Sequence, residues 1–416
     1  MALFSLALLL VAIVLGFFRK MNTGLVAIAF AVLLGRISGI KDAEIIRGFN
    51  TSLFVMLLGV SYLFSLCQIN GCLDLLAKKV VALAGRRVYL VPVFVYIFAT
   101  VLSALGPGTV PTMAIMMVFG MAMAAEMHIH PAMLSALTVL GASGGGVSPL
   151  AATGIIGLNL CADFGLTGIE VPFLMNGILS STVYAIVVYF LLGGYKLRMD
   201  EGAIEYKTPP FNGKQKITLV GIAVMVFVVM ILKVNVGLAS FAVAAVLSFL
   251  RVSDEKEALQ RIPWGTLLLI TGVGVLMHQI IARGGIKMLS EALLAIMNES
   301  TAVSIMGICS GVLSWFSSTS GVVMPTLIPT IPHIVEQMGG SVDPLELATA
   351  ITMISNTAGI SPLSTGGALA LAAYSSAAGS SPQEQHTLFV KMFAISAFGV
   401  AVLCVFAYFG LYHWLL

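Results

Sequence analysis

Charge is scarce in this sequence. Asp, Glu, Lys and Arg make up 9% of its 416 residues, against about 25% in a soluble globular domain. With 59% hydrophobic residues there is too little polar surface to cover the apolar remainder in water. A soluble fold is excluded, and lipid must be part of the solvent. The formal net charge of +3 lacks the basic excess of a nucleic-acid binder, so no such partner is expected. Cysteine is sparse too. Cys67, Cys72, Cys161, Cys309 and Cys404 are scattered, mostly inside apolar runs, without paired or metal-ligand spacing, and read as small apolar side chains in helices. No His/Glu set has metal-ligand spacing, and no Gly-x-Ser-x-Gly elbow is present. Gly141-Ala142-Ser143-Gly144-Gly145-Gly146 lacks the Lys-Ser/Thr ending of a phosphate loop. No catalytic residue and no cofactor follow, and an enzyme is not expected.

Long apolar runs, by contrast, recur along the chain. Stretches near 2–18, 23–40, 50–69, 172–194, 216–233, 236–252, 264–282 and 387–413 are of spanning length, about 17 to 25 residues. The first could mimic a signal peptide. No basic residue precedes it and no small-residue cleavage site follows, while Arg19-Lys20 closes it, so a retained first span is expected. Between the spans, 89–127, 131–168, 301–339 and 344–380 are apolar but interrupted by Gly, Pro, Ser and Thr. Each reads as two short helices around a non-helical middle. Bare backbone is too costly in lipid, so each middle must sit in protein or face a watery cavity. Asp74–Ala84 and Lys287–Met297 alternate polar and apolar at helical spacing, as helices lying on the membrane surface do. One polar linker, Gly193–Lys216, carries Lys196, Arg198, Lys207, Lys214, Lys216 and Pro209-Pro210.

That linker separates halves that match at an offset near 213. Gly146-Val147-Ser148-Pro149-Leu150 answers Gly359-Ile360-Ser361-Pro362-Leu363, and Val110-Pro111-Thr112 answers Met324-Pro325-Thr326. Asp42–Arg47 answers Asp254–Arg261, Asn22 answers Asn235, and Gly71 and Gly284-Gly285 precede the surface helices. Matches in one order at nearly one offset indicate duplication. The expected fold is an all-α polytopic membrane protein with repeats over 1–194 and 216–416, joined by a linker over 195–215. Scaffold and transport domains would each draw on both repeats. Each half holds three spans, a surface helix, a re-entrant hairpin, a broken span and a final span. Five crossings per half is odd, so the second half is inverted. With both termini outside and the linker inside, 15 of the 21 Lys and Arg lie inside. Only Arg36, Lys41, Arg47, Lys233, Arg283 and Lys287 lie outside, which satisfies the positive-inside rule. An inverted repeat with broken helices is the pattern of secondary transporters, here in the bacterial inner membrane.

Four breaks should converge near the midplane: 103–112 at the first hairpin tip, 143–149 in the first broken span, 317–321 at the second tip and 355–362 in the second broken span. Small residues also mark helices that merely pack closely, but four clusters in two duplicated pairs, each interrupting a helix, favour a site. Helix N-termini suit a carboxylate, and exposed carbonyls at opposite half-helix ends suit Na⁺. None of the breaks contains Arg, Lys, Asp, Glu or His, so an anion must be held by dipoles, hydroxyls and a co-bound cation. The substrate candidates are Ser103, Gly108, Thr109, Pro111, Thr112, Ser317, Ser318, Thr319, Pro325, Thr326, Asn356, Ser361 and Pro362. The cation candidates are Ser143, Gly144, Gly146, Ser148, Ser355, Thr357 and Gly359. His278 is placed near the membrane boundary, with a functional role left open. His128, His130 and His333 are read as interfacial, and Asp163 and Glu170 as loop residues.

Gly16-Phe17-Phe18-Arg19-Lys20-Met21-Asn22-Thr23-Gly24-Leu25, Glu44–Phe49 and Ser52-Leu53-Phe54 resemble the MatC-type dicarboxylate (malonate) carriers, most specifically over the first 150 or so residues. The whole-chain pattern resembles the divalent anion:sodium symporters of the ion-transporter superfamily. That resemblance implies a homodimer with a scaffold domain and a moving transport domain working as an elevator. It also implies hairpin tips carrying Ser-Asn-Thr motifs that bind carboxylate and help form a Na⁺ site. Here the tips read Ser103-Ala104-Leu105, leading to Gly108-Thr109, and Ser317-Ser318-Thr319, while Ser355-Asn356-Thr357 falls in the second broken span. The expected function is secondary transport of a small dicarboxylate, malonate- or succinate-like, coupled to Na⁺ or H⁺. Another organic or inorganic anion on the same fold, a channel, and a membrane subunit serving a binding protein are the alternatives.

Overall fold

A computed structural model describes residues 1–19, 21–82, 87–197, 209–378 and 381–413. Lys20, Arg86, Arg198 and Lys207 of the charge count, residues 83–84 of the first surface segment and most of the linker lie outside the described residues. No strand occurs among the described residues.

The order of elements runs through twice. The first pass is α1 (Ala2–Arg19), α2 (Thr23–Ile37), α3 (Asp42–Ile46), α4 (Thr51–Ile69), α5 (Cys72–Ala82), α6 (Val91–Ala104), α7 (Thr109–Glu126), α8 (Pro131–Gly146), α9 (Ala152–Ala162) and α10 (Glu170–Leu191). The second is α11 (Gly213–Leu232), α12 (Val236–Phe249), α13 (Glu255–Arg261), α14 (Trp264–Ala282), α15 (Gly285–Leu294), α16 (Ala302–Phe316), α17 (Met324–Leu327) with α18 (Ile331–Gln337), α19 (Pro344–Ala358), α20 (Thr365–Ala378) and α21 (Pro382–Tyr408). Each half is therefore three spans (α1, α2, α4; α11, α12, α14), a surface helix, a re-entrant hairpin, a broken span and a final span. The surface helices begin two residues earlier than their polar alternation suggests, because Cys72 and Ile286 are buried and continue the apolar face. The matched Asp42 and Asp254 motifs form the short helices α3 and α13.

Local chemistry sets the helix starts, and it too is duplicated. Asn22 accepts from the Gly24 amide and Asn235 from the Gly237 amide, both at 2.9 Å, which fixes the entry of α2 and α12. Pro131 and Pro344 occupy the first positions of α8 and α19 behind the caps His130 and Asp343, where a missing amide costs nothing.

The halves interlock. α2 packs on α14, and α12 on α4, so each crossing joins one helix from each half. Glycine makes both crossings close. A Cβ on Gly24 would lie 2.2 Å from the Leu268 carbonyl oxygen, and one on Gly272 2.3 Å from that of Gly24. At the matched positions, a Cβ on Gly237 would lie 2.5 Å from Met56 Cα, and one on Gly59 2.4 Å from the Gly237 carbonyl oxygen. Close backbone approach through small residues is how membrane helices gain packing when lipid offers no hydrophobic driving force. Around this centre, α6 packs on α8 and α16 on α19, with α10 and α21 behind them. Tyr184 Oη donates to the Ile395 carbonyl and ties the two final spans together. Apolar side chains such as Leu10, Val220, Phe227 and Ile231 face outward, as an integral membrane protein requires. Six described helices are long and apolar enough to cross a membrane.

Candidate functional site

The first hairpin turns at residues 105–108. Gly108 has φ +77°, a left-handed conformation open to glycine, and it starts α7 without a side-chain cap. α9 starts beside it, behind Ala151, also without a side-chain cap. The two helix beginnings adjoin: a Cβ on Gly108 would lie 3.2 Å from the Ala152 nitrogen. First-turn amides have no acceptor within their own helix, so two sets of orphan donors and two positive dipole ends share one buried place. The end of α8 closes against them. A Cβ on Gly146 would lie 2.2 Å from Thr109 Oγ1 and 3.2 Å from Ser103 Oγ.

The second half reaches the same place. Thr109 Oγ1 is 3.1 Å from Thr153 Oγ1, which is 3.2 Å from Ser320 Oγ. This run of three hydroxyls links the first tip, the first broken span and the second tip. The anchoring below each tip is duplicated. Ser103 Oγ donates to the Ala142 carbonyl and Ser314 Oγ to that of Ser355, both at 2.7 Å. The tips themselves differ. After Ser317 and Ser318 the chain enters a π-turn, Thr319–Val323, and Ser318 Oγ accepts from the Gly321 amide at 3.2 Å. The second tip thus caps its own amides, and the first leaves its amides open.

The candidate residues fall into distinct environments. Ser103, Thr109 and Gly146 converge. Thr112, Ser143 and Asn356 are buried, and among the described residues Thr112 Oγ1, Ser143 Oγ and Asn356 Nδ2 have no hydrogen-bond partner. Each such buried group costs about 1–3 kcal/mol unless water or a ligand meets it. Thr319 Oγ1 is 3.0 Å from Ser314 Oγ, and Ser317 Oγ donates to the Leu313 carbonyl. Ser148 and Ser361 each accept an amide two residues on, from Leu150 and Leu363 at 3.2 Å, and so shape the two breaks alike; Pro149 and Pro362 follow them. Thr326 and Ser355 return their hydroxyls to Val322 and Ile351 of the preceding turn. Gly144 packs against Ser181 of α10, and the methyl of Thr357 against Gly399 of α21, so these two face the final spans. A Cβ on Gly359 would meet the Asn356 carbonyl at 2.7 Å. Pro111 and Pro325 line cavities. Thr153, Ser314 and Ser320 were missing from the candidates. Ser314 could have been found as the counterpart of Ser103, whereas Thr153 lies inside a half-helix with no local signal.

Two cavities lie at opposite ends of α4 and α14. One, of about 570 Å³, is lined by Arg47, Asn50, Gly274, His278, Pro325 and Pro329 among others. The other, of about 190 Å³, is lined by Ser61, Phe64, Pro107, Pro111, Arg261 and Pro263 among others. They are counterparts under the repeat: Gly274 answers Ser61, and Arg47 answers Arg261. His278 thus lines the larger cavity near the end of its span. Asp163 lines it too, with burial raising its carboxyl pKa. The arginines differ in pairing. Arg261 Nη2 is 2.7 Å from Glu257 Oε1, and Ala43 stands where Arg47 would need that acid. Among the described residues Arg47 has no ion-pair partner.

Interlocked inverted halves with hairpin tips meeting broken helices define a specific fold, and comparison with known proteins agrees. Residues 1–146 match the family model described as the dicarboxylate carrier protein MatC N-terminus. Among solved structures, the Alcanivorax borkumensis YdaH transporter, described as having an unusual topology, superposes with a TM-score of 0.58. The match covers 88% of this chain and 87% of that one at 14% identity. Such a likeness establishes a shared fold. No curated protein matches the chain. The MatC match covers α1 to α8, including the first hairpin tip and the Gly146 end of the first broken span.

Proposed function

We propose that this protein is a secondary active transporter of a small dicarboxylate of the malonate or succinate class, coupled to Na⁺ or H⁺. The observation that carries the reading is the buried meeting of two uncapped helix beginnings, at Thr109 and Ala152, under hydroxyls from both halves. Orphan amides and aligned dipoles stabilise an anion, and no basic side chain in the breaks competes for it. A dianion brings more charge than two helix ends offset, about half a charge each, so a co-transported cation is required. Among the unpartnered buried atoms, Asn356 Nδ2 is a donor and suits the anion, whereas Ser143 Oγ donates or accepts and suits either species. The match of the N-terminal third to dicarboxylate carriers supports the substrate class. We further propose both termini outside, a homodimer, and elevator-type movement of the hairpins and broken spans against the crossed spans α2, α4, α12 and α14.

The larger cavity is then the approach for substrate, with the unpaired Arg47 at its lining. Purified protein in liposomes should take up labelled malonate or succinate under an imposed Na⁺ or H⁺ gradient. Unlabelled dicarboxylates should compete better than monocarboxylates or sulfate. Uptake driven by neither gradient, or competition only by non-dicarboxylates, would overturn the coupling and the substrate class respectively.

A further inference from the structure

The membrane face from which the linker leaves carries a second polar site, remote from the breaks. A cavity of about 650 Å³ opens there between α8, α10 and α21, lined by His130, Lys196 and Lys391 with Leu191, Leu192 and Ile395. Among the described residues no carboxylate lines it. Among the described residues neither lysine has an ion-pair partner. The nearby acid, Glu384, lines an adjoining smaller cavity with His130 and Lys391 but is engaged elsewhere. Its Oε2 accepts from the Ser381 amide at 2.8 Å and from Ser381 Oγ at 2.9 Å.

The hydrogen bonding of His130 points to a ligand. Its Nδ1 caps α8, accepting from the Ala132 amide at 3.2 Å, which leaves the ring hydrogen on Nε2. Nε2 lies 2.8 Å from Lys391 Nζ, and an ammonium only donates. Two donors therefore face one another without an acceptor. The other tautomer moves the mismatch to the Ala132 amide and leaves the helix start uncapped. Burial, and then the charge of Lys391, lower the imidazole pKa, which favours the neutral ring; a protonated ring would donate at both nitrogens and deepen the mismatch. An anionic oxygen accepting from both Nε2–H and Nζ resolves it, with Lys196 across the cavity as a second charge.

We propose that this cavity binds a phosphate-bearing anion, and that its occupant is the headgroup of an anionic phospholipid. The walls choose the source. Leu191 is 60% exposed and Tyr195 55%, so an apolar surface for an acyl chain lies directly beside the basic rim, at the end of α10 and along the first half of α21. Basic pockets between membrane helices at this level suit such headgroups.

The test is native mass spectrometry of the full chain released from nanodiscs holding equal phosphatidylglycerol and phosphatidylcholine. Phosphatidylglycerol should dominate the retained adducts. Lys196→Gln and Lys391→Gln should each reduce that preference by about fivefold, and Lys391→Arg should keep it. Equal retention of the two lipids, or an unchanged preference in both Gln variants, overturns the site. Displacement of the lipid by an equal concentration of inorganic phosphate, itself retained, overturns the lipid assignment in favour of a free anion. Melting temperatures of the single variants within a few degrees of wild type separate lost binding from lost folding.

Discussion

Gly146 and Thr153 are the residues on which the candidate site turns. A methyl on Gly146 would drive into Thr109 Oγ1, and overpacking of this kind costs about 1–3 kcal/mol. Gly146→Ala should lower the melting temperature and cut uptake at least about tenfold, because relief of the clash breaks the Thr109–Thr153 contact. Adding Thr109→Ala should restore stability without restoring uptake, as read by thermal unfolding and liposome uptake together. Thr153→Val keeps the shape and removes the hydroxyl shared with Thr109 and Ser320. At about 0.5–1.5 kcal/mol for each hydrogen bond, its KM for dicarboxylate should rise roughly three- to tenfold, and Thr153→Ser should stay near wild type. An unchanged KM in Thr153→Val would place the substrate elsewhere.

At the scale of elements, the crossings of α2 with α14 and of α12 with α4 act as a matched pair. In each the obstacle to a side chain is backbone, which cannot rotate away. Gly24→Ala and Gly237→Ala should therefore destabilise the protein by similar amounts, about 1–3 kcal/mol. Thermal unfolding in detergent checks the equality; a large loss in one and none in the other would show that the crossings are not equivalent. The hairpins, by contrast, are unequal elements. Ser318 caps the second tip internally, and nothing of the kind closes the first. Under the proposed function, the open starts of α7 and α9 in the first half would receive the anion, and the second half would contribute hydroxyls.

For the whole molecule, duplication with inversion makes the two cavities equivalent by origin, and their volumes make them unequal in this structure. A site reached from opposite sides in turn needs such a pair. Single cysteines at Gly274 and Ser61 should report the difference. Gly274→Cys should react quickly with a membrane-impermeant thiol reagent added from one side, and Ser61→Cys slowly and only from the other. Dicarboxylate with its coupling cation should change the ratio of the two rates. Labelling of both from one side would contradict the inverted arrangement. Arg47→Gln should raise KM for a dianion more than it lowers the maximal rate, and Arg261→Gln should do so less, since Glu257 already neutralises Arg261.

Much of this was legible in the residues alone. The scarcity of charge dictated a lipid solvent, the offset near 213 exposed the duplication, and Gly-Ile/Val-Ser-Pro marked where the broken spans open, because proline and glycine act on the local backbone wherever they stand. The partners of Thr153, the glycine-to-backbone crossings and the unequal cavities were not legible. Serine, threonine and glycine in an apolar helix carry no mark of what they face. The offset itself drifts, from 211 between Ser103 and Ser314 to 214 between Pro111 and Pro325. Which hydroxyls meet is decided only when α2 locks onto α14 and α12 onto α4, because that interlocking sets two distant stretches of chain within hydrogen-bonding distance.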